Sequence, residues 1–225
     1  VDGDYTFDIS YKDNAENSAN TIETHKFTID MTKPLLSVVY DNNSALNGNY
    51  YKADRIATIT IKEHNFDSSR VNVIGVATDD SLPSSFPATS AWKDNGNDVY
   101  TATIAYTSYS KYSFDIEFRD KANNSIVDYA PEEFYIDKTA PNLSIVGVAD
   151  KSANKGDVAP VITYTDTNFN KDTVTITLSG INNGANLKYN GAFADIKNGQ
   201  TYSYENFEKV KEVDDIYTLT VKLTD

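Results

Sequence analysis

Residues 111–124 read KYSFDIEFRDKANN and residues 4–17 read DYTFDISYKDNAEN. In the first stretch Tyr112, Phe114, Ile116 and Phe118 alternate with Ser113, Asp115, Glu117 and Arg119. That period of two puts four large apolar side chains on one face of a strand and polar ones on the other. Tyr5, Phe7, Ile9 and Tyr11 alternate in the same way, as do Tyr217, Leu219, Val221 and Leu223 near the end. Strands that are apolar on one side belong to antiparallel sheets with one face on a core and one in water. The class expected is therefore all-β.

Further strand-like runs lie at 55–62 (RIATITIK), 71–77 (VNVIGVA), 99–106 (VYTATIAY), 161–165 (VITYT) and 173–180 (TVTITLSG). Their Val, Ile, Thr and Tyr content suits pleated, half-buried surfaces. Asn-Gly pairs at Asn47-Gly48, Asn95-Gly96, Asn183-Gly184, Asn190-Gly191 and Asn198-Gly199 supply turn signals between them. No amphipathic helix is evident.

The alternating strand recurs with a long period. Tyr5, Tyr112 and Tyr217 are spaced by 107 and 105 residues, and each is followed eight residues later by an aspartate, Asp13, Asp120 and Asp225. FTIDMTKP (27–34) returns as FYIDKTAP (134–141), and KEHNFDSSRVNV (62–73) returns as TDTNFNKDTVTI (165–176), aligning Phe66 with Phe169. A unit of about 105 residues is a whole domain rather than a solenoid repeat. Residues 1–31 are expected to be the C-terminal strands of a preceding unit, 32–137 a complete unit, and 138–225 a unit lacking its last strand. In the complete copy, strands are expected near 35–40, 55–62, 70–77, 90–93, 98–106, 110–119 and 126–136. Seven short strands in about 100 residues is the pattern of tandem immunoglobulin-like or fibronectin-like antiparallel β-sandwiches. Tyr112 should act as a tyrosine corner whose hydroxyl bonds backbone just upstream, with Tyr5 and Tyr217 repeating the role.

Composition narrows the function classes. The chain has no cysteine, so neither disulfides nor thiolate metal sites contribute. Two histidines, His25 and His64, make a histidine zinc site or a Ser/His/Asp triad a poor fit. A formal net charge of −13 disfavours nucleic acid and anionic membranes as partners. No apolar run approaches the roughly 20 residues that span a bilayer, and no signal peptide opens the sequence.

Four stretches together, ATITIKEHNFD (57–67), Trp92 ahead of a hairpin and the TATI strand, YSFDIEFRDKAN (112–123) and FYIDKTAP (134–141), resemble the bacterial Ig-like repeats of large Gram-positive cell-surface proteins. Such repeats often read Asp-x-Ala-Gly-Asn in the last hairpin, where this chain has Glu16 and Asn123 at the glycine position. The resemblance implies an extracellular, secreted or wall-attached array whose units space or present other domains and sometimes bind host glycans or proteins. It implies no chemistry, so the chain is expected to be non-enzymatic.

Candidate sites are weighed on that background. The acidic pairs Asp79-Asp80, Glu132-Glu133 and Asp214-Asp215 read as solvated turn charges. The loop Asp94–Asp98 has Gly96 and Ala105 where a calcium loop needs ligands, so it reads as a hairpin turn. No cofactor is expected, calcium excepted: the linker aspartates Asp30 and Asp137 either share a calcium ion with the next unit's loops or fix the linker turn by bonding their own backbone. A Lys–Asn isopeptide cross-link, visible as a loss of about 17 Da, is the remaining covalent possibility. The segments 79–92 and 181–199 diverge within the repeat. Phe86 and Trp92 in the first either cap the sandwich edge or form a ligand-binding surface. The reading favoured is a non-catalytic spacer and presentation module; the alternative is an adhesin or carbohydrate-binding module using those two loops. Pro34 and Pro141 should restrict the linkers. Partners expected are neighbouring repeats and a host glycan or protein. An orphan hairpin at 1–31 is expected either to pair with a neighbouring molecule as a strand-swapped oligomer or to adjoin further sequence.

Overall fold

A computed structural model describes residues 1–20, 23–79, 82–155, 158, 160–168, 170, 173–181, 194–195, 201–204 and 215–223. The chain divides into two compact units, Val1–Lys138 and Thr139–Asp225. The described residues contain strands and 3₁₀ turns, Ser68–Arg70 among them, and no α-helix. The all-β class thus follows the alternation that the sequence displays.

In the first unit β1 (Gly3–Phe7) and β2 (His25–Ile29) form an antiparallel hairpin. The strands that follow are β3 (Leu35–Tyr40), β4 (Tyr50–Tyr51), β5 (Arg55–Lys62), β6 (Asn72–Asp79), β7 (Leu82–Pro83), β8 (Lys93–Asp94), β9 (Val99–Tyr106), β10 (Ser110–Glu117) and β11 (Phe134–Ile136). They form two sheets, ordered β3-β5-β9-β8 and β4-β11-β10-β6-β7. All pairings are antiparallel except β11 with β4. Both sheets turn their apolar faces to one core. Ile59, Ile61, Ile104 and Tyr106 come from the first sheet; Tyr112, Phe114, Ile116, Phe134 and Ile136 come from the second. Each large side chain so buried stabilises the fold by about 1.5–3 kcal/mol relative to exposure.

Strand edges depart from expectation where local chemistry intervenes. A strand is expected over 126–136, but only Phe134–Ile136 forms one. Pro131, with no N–H to donate, interrupts the ladder. The short β4 has too few residues to display a period. Gly75 sits inside β6 because a Cβ there would lie 2.2 Å from the Phe86 ring.

The hairpin turns are near copies. Asp13 Oδ1 accepts the Asn17 N–H and its Oδ2 the Asn17 side-chain amide; Asp120 does the same with Asn124. Glu16 and Asn123 both stand at positive φ, 71° and 72°. Asn accepts this conformation more readily than Glu. Tyr112 Oη donates to the Ser108 carbonyl at 3.0 Å, and Tyr5 Oη donates to the Val1 carbonyl at 2.9 Å, the same four-residue reach. The equivalent acceptor for Tyr217, residue 213, lies outside the described residues, as do Phe169 and Asp225.

In the second unit, β12 (Asn142–Val146), β13 (Val161–Thr165), β15 (Ala194–Asp195) and β16 (Thr201–Tyr204) form a sheet ordered β12-β13-β16-β15. β14 (Thr175–Gly180) pairs with β17 (Tyr217–Lys222). This order follows that of β3-β5-β9-β8 and of β6 with β10 in the first unit, strand for strand. Ile162 and Tyr164 are buried here against Val174, Ile176, Val221 and Leu223.

Candidate functional site

Two places gather chemistry-bearing side chains. The first is the joint where the β1–β2 hairpin meets the sandwich that follows it. Asp30, directly after β2, accepts the Thr32 N–H on Oδ1 at 3.0 Å, closing the linker turn on its own backbone. Its Oδ2 accepts the Asn65 side-chain amide at 2.7 Å, and its carbonyl accepts the Asn124 amide at 3.1 Å. Asn65 is in the loop after β5 and Asn124 is in the Asp120 turn after β10, so two loops grip the residue that follows β2. His64 stands beside them between Asp4 of β1, at 3.2 Å, and Asp98, at 3.1 Å. Hydrogen bonds donated by the ring to the Asp4 and Asp98 carboxylates, and the charges of those groups, push the imidazole above its usual range.

The carboxylates of Asp30, Glu63 and Asp120 converge at this joint, with one oxygen of each within 4.8 Å of the others. Glu63 and Asp120 are buried. Burial pushes the Glu63 carboxyl above the usual carboxylate range, the Asn65 N–H works against the rise, and Asp30 and Asp120 add to it. Three hard oxygen ligands at this separation can take up a divalent cation or share a proton. Both oxygens of Asp30 and both of Asp120 already accept hydrogen bonds. Asp137 lies elsewhere, after β11, with its N–H donated to the Tyr51 carbonyl. The signal for this cluster was available in part: each acid belongs to a motif that recurs, but nothing local joins positions 30, 63 and 120.

The second place is a shallow concavity of about 410 Å³ lined by Phe66, Asp67, Ser68, Trp92, Asp94, Tyr100 and Lys121. Trp92 is half-buried and leans on Phe66, ring centroids 5.2 Å apart. Phe66 stacks on Tyr100 at 4.2 Å and packs on buried Phe118. Phe86 is elsewhere, over Gly75 and against Tyr106, Tyr112 and Phe114, so its ring fills the core edge. The structure therefore separates the two aromatics that the sequence groups. Most of 181–199, the other divergent segment, lies outside the described residues, as do Asp80, Ser81 and Asp214.

Other sequence candidates have structural partners. Glu132 pairs with buried Arg55 at 2.8 Å and Glu133 with Lys111 at 2.8 Å, which makes them ion-paired rather than solvated turn charges. The Arg55 guanidinium lies 3.6 Å from the Tyr40 ring centroid, 4.1 Å from Tyr51 and 4.5 Å from Phe134. Lys138 bonds Asp54 and the Thr107 carbonyl. His25 is exposed at the start of β2. The Asn95-Gly96 turn closes through the Asn95 N–H to Val99 carbonyl bond and connects β8 to β9. No helix among the described residues is long and apolar enough to cross a membrane.

No family model, curated protein or solved structure matches this chain.

Proposed function

We propose that the chain is a non-catalytic spacer and presentation module of a repetitive extracellular bacterial surface protein, built of tandem Ig-like sandwiches. The sheet orders support the Ig-like reading. With β3, β5, β9 and β8 as strands A, B, E and D, and β6, β10 and β11 as C, F and G, they follow the ABED and CFG sheets of that fold. The long sequence period supports the tandem reading, and the acidic, cysteine-free composition suits a soluble exported array whose stability comes from its cores.

The observation that carries the spacer role is the grip on Asp30 by Asn65 and Asn124. A linker bonded through both its carboxylate and its carbonyl to the next unit transmits orientation, where an unbonded linker would leave a swivel. Hydrogen exchange tests this. Amides of β1 and β2 should be protected in the intact chain and should lose protection in Asn65→Ala and Asn124→Ala while β5 and β9 keep theirs. Unprotected β1 and β2 amides in the parent chain would remove the ordered joint and the spacer role with it.

A further inference from the structure

The concavity beside Trp92 has a composition that the spacer role does not use. Its indole is held in place: Phe66 supports it, and Phe66 is in turn fixed between Tyr100 and buried Phe118. A ligand stacking there meets a surface with little conformational freedom left to lose. Phe66 and Tyr100 cover one another's faces, at 4.2 Å and 15°. Three rings so arranged cannot enclose a quaternary ammonium, which needs several open faces around it. Phe66 meets the indole at 59° and so does not stack on its face, and the indole lines the concavity as an apolar surface.

The rim is polar; Asp67 is engaged by Ser69 and Arg70 and feels the Lys121 charge, while other groups have no bonding partner. The Trp92 indole N–H, the Tyr100 hydroxyl and the Lys121 ammonium make no hydrogen bond or ion pair among the described residues. Asp94 uses Oδ1 on the Gly96 N–H at 2.8 Å and has no such partner for Oδ2. Three donors and a carboxylate acceptor around an aromatic platform match a ring with an apolar C–H face and hydroxyls on its edge, each able to donate and accept. Charge narrows the ligand further. Asp67 and Asp94 outnumber Lys121 on the rim, and the whole chain carries a formal −13. Sialylated, uronic or phosphorylated chains would be repelled.

We propose that this concavity is a binding site for a neutral pyranose glycan, stacked on Trp92 and hydrogen-bonded by Asp94, Tyr100 and Lys121.

Trp92 is the chain's one tryptophan, so its fluorescence reads the site directly. The intact 225-residue chain is screened on an array of neutral and sialylated glycans, and retained glycans are titrated against Trp92 emission and by calorimetry. The expected result is a saturable emission shift with at least one neutral glycan and none with 3′-sialyllactose. Trp92→Ala should weaken binding by at least about tenfold. Asp94→Asn and Lys121→Ala, exposed changes that leave the fold intact, should each weaken it several-fold, and they keep the test decisive if Trp92→Ala does not fold. Retention of no neutral glycan, affinity unchanged in all three variants, or equal binding of sialylated chains would overturn the proposal. So would capture of a protein at this surface in place of a glycan.

Discussion

The ring of Phe86 occupies the space that a side chain at Gly75 would need: a Cβ there would stand 2.2 Å from Phe86 Cδ1. Glycine in the middle of a strand that also carries Val73, Ile74, Val76 and Thr78 is explained by this close approach. Gly75→Ala should therefore destabilise the first unit by about 1–3 kcal/mol in urea unfolding, as overpacking does. In a Phe86→Ala background the same change should become neutral or stabilising. That sign reversal in the double-mutant cycle separates a steric clash from a backbone effect.

Arg55 is 1% exposed and Glu132, its ion-pair partner, has a side chain 43% exposed. The guanidinium is held mainly by the three rings it lies over and by the Asn42 carbonyl. Arg55→Ala should cost about 3 kcal/mol, because packing and buried bonds disappear together. Glu132→Gln should cost about 1 kcal/mol or less, since half-exposed pairs are weak. Chemical denaturation of both variants measures the difference.

Tyr112 and Tyr5 make the same hydroxyl bond in different surroundings, one ring buried and the other partly exposed. Tyr112→Phe should lose about 1 kcal/mol, the net worth of a typical hydrogen bond. Tyr5→Phe should stay within about 0.5 kcal/mol of the parent. Thermal unfolding of the two variants checks this.

Glu63 has its folded pKa raised, so the folded chain holds that proton more tightly than the unfolded one. The associated stability is fully present below the ordinary value of 4.5 and is lost as pH rises through the folded pKa. Glu63→Gln, which keeps an acceptor for the Asn65 N–H, should raise Tm at pH 7 in EDTA and give no gain at pH 4. A gain equal at both pH values would show that the carboxyl charge is not the cause.

Asp30 already bonds the Thr32 N–H and the Asn65 amide. Removing divalent cations with EDTA at neutral pH should therefore leave Tm unchanged, the linker turn being closed by the chain's own donors. A fall of several degrees, restored by calcium and abolished in Asp30→Asn, would instead assign a cation to the triad.

Much of the fold was legible. The strands expected at 35–40 and 55–62 are those observed, and 98–106 and 110–119 differ from β9 and β10 by one and two residues at their ends. Their side chains alternate over eight residues or have β-branched runs bounded by turns. The two-residue strands β4, β7 and β8 carry no period, and Pro131 trimmed β11. The divergent segment marks Trp92 in the sequence, but Phe66, Asp67, Tyr100 and Lys121 become its neighbours only through the pairing of β8 with β9 and the closure of the Asp120 turn.

By itself the sequence determined what depends on neighbours along the chain: strand faces, turn residues and the copied Asp-to-Asn turns. Alternation and turn chemistry act over a few residues, so they can be read in order. Only the tertiary structure decided that Asp30, Glu63 and Asp120 converge, that Phe86 belongs to the core edge while Trp92 lines a concavity, and that Arg55 is buried among rings. Those outcomes depend on which strands lie side by side, a choice set by how the two apolar faces cover one another.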